Sequence, residues 1–361
     1  MRRIKSLDTF RGFIMLAMVW VHLSEWWLRE EDIWFSNATV PILKLIFGPG
    51  FLLLAGISIA LSYRKNLIKI TTMDNFNYDI VKKEYFFRAT FILVVALGYN
   101  SFVALQFFNP LDLWKWFMLL TMSISLFIAW PLLKAPKYVR LILAVIIWIL
   151  NYFTFNYFLP YQGQININGI IYYFFYNSID VIPFPHYISF LLIGTIIGEA
   201  IFDIYQIDNQ KERKLLLKKK ITVPSLILGV PLIIISVIFD NQLSLDRTSF
   251  IWIIFAMGIN LILLSVFLGF EDFKLRVNKR RLKFLFYYSY FSLTIYLVHI
   301  ISYFFFLNQL NLFQFWIFIM LYSILFGLVL RLLHNKYGPK FSIKVQIGRL
   351  SSALAKRLGT I

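Results

Sequence analysis

Three side chains near the start of the chain could do chemistry: Asp8, Arg11 and His22. They interrupt an otherwise apolar stretch, RIKSLDTFRGFIMLAMVWVH, running from Arg3 to His22. On a helix, Asp8 and Arg11 are one turn apart, and Arg11 and His22 are close to three whole turns apart, so all three share one stripe. That stripe holds the guanidinium and the imidazole roughly 16 Å apart along the axis. Ionisable groups inside an apolar span are costly and mark a functional site facing a bundle interior. A neutral imidazole at His22 suits general-base work on a hydroxyl or amine, or can itself accept an acyl group. Asp8 pairs with Arg11 one turn away, and it joins His22 and His299 as a catalytic candidate.

Other polar groups fall at similar depths. His186 and His299 are expected in the outer half of the bundle with His22, and His334 at the inner side. Any one of these histidines also fits a hydrogen-bonded structural role. Arg11 and Arg88 sit at inner ends of spans, and Arg64 and Lys65 end the second span. Together they form a basic mouth suited to a phosphorylated ligand, because arginine meets phosphate with two parallel bonds. In YYSYFSLTIYLVH, Tyr287 to His299, the polar handles are Ser292 and Tyr296, and His299 lies three residues beyond Tyr296 on the same face. Tyr296 is therefore grouped with Arg11, Arg88 and Arg64 on the cofactor side, and His186 with the acceptor side. No metal is expected, since zinc needs three or four converging ligands and the outer half offers few carboxylates.

The elements that position these groups follow from composition. Of 361 residues, 60% are hydrophobic and 15% charged, with no cysteine and a net charge of +18. The absence of cysteine excludes disulfides, thiolate catalysis and zinc sites built on sulfur. Apolar runs of about twenty residues recur along the chain, the mark of a polytopic all-α membrane bundle. Ten spans are expected: Phe10–Leu28, Val40–Tyr63, Phe87–Phe107, Leu113–Leu133, Val139–Leu159, Ile182–Phe202, Ile221–Phe239, Phe250–Phe270, Leu285–Phe306 and Phe313–His334. With the N-terminus in the cytoplasm, 32 of the 36 Lys and Arg fall on inner segments, the exceptions being Arg29, Lys44, Lys115 and Arg247. This asymmetry places both termini inside. It also explains the positive charge without nucleic acid as a partner.

The basic start followed by an apolar run resembles a signal peptide. It lacks a small-residue cleavage site, so it reads as a retained first span. The loop from Leu159 to Asp180 holds an apolar patch, Ile170 to Phe175, read as an outer interfacial segment. The stretch Phe202–Lys220 reads as a solvated cytoplasmic loop. Residues 1–335 form the bundle, and 336–361 a cytoplasmic tail whose KVQIGRLSSALAKRLG reads as an amphipathic helix on the inner surface. Gly48, Gly50 and Gly56 in the second span permit close helix approach.

These motifs carry a resemblance. RIKSLDTFRG followed by MVWVH resembles the start of the heparan-alpha-glucosaminide N-acetyltransferase family and of the wider acyltransferase-3 superfamily, in which an Arg and a His eleven residues apart are typical. PGFLLLAGIS, FFRATFILVVALGYN, PFPHYISFLLIGTIIG and SLTIYLVH resemble later family motifs in order. The resemblance implies a helical bundle that binds acetyl-CoA, or another acyl-CoA, from the cytoplasm and passes the acyl group to a glycan or other small acceptor. It implies Arg11 and Arg88 on the cofactor, His22 as the catalytic histidine and His299 nearby. The loop from Leu23 to Thr39 lacks the histidine that the lysosomal enzymes carry there, so His22 follows the prokaryotic and acyltransferase-3 pattern, and heparan glucosamine does not fit well as acceptor. A ten-span transporter or lipid flippase using the same buried charges is the alternative reading.

Overall fold

The computed structural model describes residues 4–72, 76–106, 108–177, 184–239, 249–272 and 282–359. These are almost wholly helical. The helices, in chain order, are α1 (Lys5–Trp27), α2 (Ile33–Thr72), α3 (Tyr78–Gln106), α4 (Met118–Leu132), α5 (Lys137–Phe158), α6 (Ile167–Phe175), α7 (Phe184–Tyr205), α8 (Gln210–Leu217), α9 (Val223–Phe239), α10 (Phe250–Asp272), α11 (Leu282–Tyr290), α12 (Ser292–Val298), α13 (Leu312–Tyr337) and α14 (Ile343–Gly359). The one extended pairing among the described residues is a bridge between Leu28 and Leu310, which ties the C-terminal end of α1 to the segment before α13. The expected basic inner loop from Lys274 to Lys283 lies mostly outside the described residues.

Among the described residues eight helices are long and apolar enough to cross a membrane, and nine if the bent pair α11–α12 counts as one span. α1 is not among them, because Arg11, His22 and Glu25 reduce its apolarity. It lies instead at the centre, packed against α2, α10, α11, α12 and α13. In the apolar windows of α2 and α7, 67% of residues are buried, against 17% in that of α13. Thus α13, with α5 and α9, presents a lipid-facing exterior, and α1, α2 and α7 form the interior.

Lipid is as apolar as leucine, so helices here associate through close packing and interhelical hydrogen bonds. Gly56 of α2 and Gly194 of α7 illustrate the first. A Cβ on Gly194 would collide with the Leu53 carbonyl, and one on Gly56 with the Leu191 carbonyl. Pro49 illustrates the second. Proline lacks the N–H that would bond Leu45 one turn back. The Asn260 side chain of α10 supplies the missing donor, 2.8 Å from the Leu45 oxygen. Gly50 leaves room for that amide, since a Cβ there would strike Asn260 Oδ1.

Three expectations are corrected. The second span was expected from Val40, but α2 begins at Ile33, so much of the expected outer loop is helix. The stretch Phe202–Lys220 is largely helical too. The Asn209 side chain accepts from the Lys211 and Glu212 amides and caps α8, whose Lys, Glu, Arg and Leu residues are good helix formers. The expected ninth span is broken, with a 70° bend between α11 and α12. The carbonyls freed there are satisfied from the C-terminal segment: Ser342 Oγ donates to Tyr290 at 3.0 Å and Lys344 Nζ to Ser289 at 2.7 Å. A break at membrane depth requires such partners. The outer patch forms α6, nine residues long, too short to span at 1.5 Å per residue.

Candidate active site

α1 places its polar groups at two levels. Near the N-terminal end of α1 Arg11 is held from two sides: Nη1 is 3.3 Å from Asp8 Oδ1, and Nη2 donates to Ser58 Oγ of α2 at 2.6 Å. Asp8 also accepts from Ser289 Oγ of α11 at 3.4 Å. Asp8 is fourteen residues from His22, roughly 21 Å along the helix. Asp8 therefore lies beside Arg11 and apart from His22 and His299, with which it was grouped in the sequence.

Beside Arg11 opens a cavity of about 640 Å³, lined also by Ser58, Arg88, Ser292, Tyr296, Lys344 and Arg349. Glu84 is the one carboxylate in that lining. Arg88 enters from α3 with an exposed side chain, its guanidinium lying against Gly348 of α14. Arg64 does not line this cavity. It pairs with Glu199 of α7, as does the buried Arg140 of α5, which also donates to Thr195 Oγ1 at 3.0 Å. A half-buried Glu199 needs such partners, so Arg64 is engaged in an ion pair away from the cavity where Arg11 and Arg88 lie.

Toward the C-terminal end of α1 His22 lines a second cavity of about 360 Å³ with Glu25, Lys44, Lys115 and Trp116. Its Nδ1 is 3.4 Å from Glu25 Oε2, and the other oxygen of Glu25 is 2.9 Å from Lys44 Nζ. A carboxylate can only accept, so Glu25 favours the proton on Nδ1 and leaves Nε2 as the basic nitrogen. Glu25 and Lys44 were not singled out from the sequence. The signal was the i, i+3 spacing of His22 and Glu25, one turn apart on α1.

His299 stands behind His22, the ring centroids 5.0 Å apart, and Trp26 stacks on both at 5.2 and 5.8 Å. His299 is 2% exposed, and its Nδ1 donates to the Tyr296 carbonyl at 2.5 Å. It supports the His22 ring and lines neither cavity. Trp27, next to this cluster, donates to the Ser302 carbonyl at 2.7 Å and fixes the C-terminal end of α1. His186 is not part of the group. It is buried on α7 with Nε2 2.9 Å from Asn151 Nδ2 of α5, between Phe155 and Tyr176. The structure thus brings His22 and His299 together and leaves His186 apart from them, between α5 and α7.

The two cavities abut. Phe51, Met118 and Tyr296 line both, so a basic chamber at Arg11 and an imidazole chamber at His22 share one wall.

A family model described as heparan-alpha-glucosaminide N-acetyltransferase, catalytic, matches residues 3–238. The chain belongs to this family. Together with the long apolar helices, membership marks a multi-pass membrane protein of acetyltransferase type. The matched region carries Arg11, His22, Glu25 and Arg88, and ends before Tyr296, His299 and α14. No curated protein matches the chain.

Proposed function

We propose that this protein is a membrane acyltransferase. It takes an acetyl or other short acyl group from cytoplasmic acyl-CoA and transfers it to a glycan or other small acceptor on the outer side of the cell membrane. The observation that carries this reading is the wall shared by the Arg11 and His22 cavities. Charges suited to phosphate lie on one side of Phe51, Met118 and Tyr296, and a base lies on the other. The separation of about 16 Å along α1 suits an extended thioester arm. Both termini are assigned to the cytoplasm, as the basic inner segments favour, with α1 as the tenth span.

In this reading Arg11 and Arg88 hold the donor phosphates, with Arg11 pre-oriented by Asp8 and Ser58. His22 Nε2 takes the proton of the acceptor hydroxyl or amine as that oxygen or nitrogen attacks the thioester carbonyl. The C–S bond then breaks and the sulfur leaves, receiving the proton from the imidazolium. Glu25 stabilises the positive charge that develops on the ring, and His299 and Trp26 keep the ring in place. The same geometry also allows His22 to take the acyl group first.

The transporter alternative draws on the broken span α11–α12, since discontinuous helices often supply carbonyls to transported ions. Here the carbonyls of Ser289 and Tyr290 already accept from Lys344 and Ser342, which favours the enzyme. The test is radiolabelled acetyl-CoA with purified protein. Arg11→Ala is expected to weaken binding, and His22→Ala to abolish transfer while binding persists. Binding of neither CoA nor acetyl-CoA, or wild-type transfer by His22→Ala, would overturn the proposal.

A further inference from the structure

The C-terminal helix α14 lies beyond the family match at residues 3–238, yet it forms one side of the inner cavity. Lys344, Val345, Ile347, Gly348, Arg349 and Ser352 all line that space. The helix is not loosely laid on the bundle surface. Ser342 and Lys344 bond the carbonyls at the α11–α12 break, and the Ile343 amide donates to Thr294 Oγ1 at 3.2 Å. At its far end Lys83 of α3 donates to the Leu358 carbonyl at 2.8 Å. These four ties fix its register against α3 and α12.

That register brings a second set of cations to the cavity. Arg11, Arg88, Lys344 and Arg349 face Glu84, four positive groups to one carboxylate. Asp8 offsets Arg11 from outside the lining. Among the described residues neither Arg88 nor Arg349 has a carboxylate partner within ion-pairing distance. Cations that outnumber the carboxylates around a cavity are suited to an anion with several oxygens. Gly348 completes the arrangement. A Cβ there would lie 2.8 Å from Arg88 Nη2, so the absence of a side chain lets the Arg88 guanidinium rest against α14 beside Arg349.

We propose that Arg349, with Arg88 seated on Gly348, forms a phosphate clamp in which the C-terminal helix selects donors carrying nucleotide phosphates over short thioesters lacking them. This deepens the acyl-CoA reading and rests on it. Lys344 serves as the anchor that ties the clamp to the broken span, so donor phosphates and the α11–α12 bend are mechanically joined.

The full-length protein in nanodiscs is titrated calorimetrically with CoA and with adenosine 3′,5′-bisphosphate, and acyl transfer is compared for acetyl-CoA and S-acetylpantetheine. Arg349→Ala and Gly348→Val are each expected to weaken CoA and the bisphosphate by about tenfold, the size of one lost charge-assisted contact. The preference for acetyl-CoA over S-acetylpantetheine should shrink by a similar factor, and Arg349→Lys should recover part of it. A thermal melt showing both variants folded excludes loss through misfolding. Wild-type CoA affinity in both variants, or an equal loss for S-acetylpantetheine, would overturn the clamp while leaving the donor assignment intact. Wild-type protein that binds no CoA would overturn the donor assignment and the clamp with it.

Discussion

Replacing Glu25 by Gln tests the proposal that His22 acts as a base. The carboxylate is 3.4 Å from Nδ1 and keeps nearly the same shape as an amide, but loses its charge. At that distance, with an effective dielectric constant of about 20, a full imidazolium–carboxylate pair is worth about 5 kcal/mol. Two features reduce it. Each side chain is close to one-third exposed, and Lys44 draws on the same carboxylate at 2.9 Å. Solvent and the competing cation leave about 2 kcal/mol. This stabilisation exists only once the ring is protonated, so it acts on the transition state and not on bound substrate. Two kcal/mol corresponds to a fall in kcat of about 30-fold. The assay is transfer from radiolabelled acetyl-CoA at saturating donor, alongside the donor KM. The expected result is a 30-fold lower kcat with KM within twofold of wild type, and partial recovery in Glu25→Asp. A kcat within threefold of wild type, or a loss located in KM, would refute the reasoning.

Arg64→Ala should leave donor affinity within about twofold of wild type, because Arg64 is engaged with Glu199; the cost of about 1 kcal/mol should appear instead as a lower melting temperature in detergent. Asn260→Leu removes the donor to the Leu45 carbonyl at Pro49 and should destabilise the bundle by about 1–2 kcal/mol, read from the same melt. Gly194→Val places side-chain carbons against the Leu53 carbonyl and should cost about 1–3 kcal/mol or prevent stable expression, whereas Gly98→Ala, with open space around it, should be tolerated.

The lipid-facing helices were legible because their apolar runs are long and uninterrupted. The central one was legible for the opposite reason: Asp8, Arg11 and His22 make α1 too polar to face lipid. The extension of α2 back to Ile33 was hidden by Pro41, which reads as a boundary although a helix accommodates it. The break after Tyr290 left no proline or glycine signal. It depends on Ser342 and Lys344, some fifty positions away, which local pattern cannot report. The site was legible along one helix and not between helices. The shared stripe of Arg11 and His22 on α1 was apparent from spacing, and the neighbouring Glu25 could have been found the same way. The Arg64–Glu199 ion pair and the His186–Asn151 hydrogen bond were not legible, because both are tertiary contacts between distant segments. The entry of α14 into the cavity wall was likewise invisible, since amphipathic spacing does not reveal which surface a helix will cover.

The most direct measurement is a density map of the protein with a non-transferable thioether analogue of acetyl-CoA. The account predicts the nucleotide phosphates in the cavity lined by Arg11, Arg88 and Arg349, the arm passing Phe51, Met118 and Tyr296, and the carbonyl carbon within about 4 Å of where the acceptor proton meets His22 Nε2. An analogue bound with its nucleotide at the outer face, or with its carbonyl on the inner side of Tyr296, would contradict it.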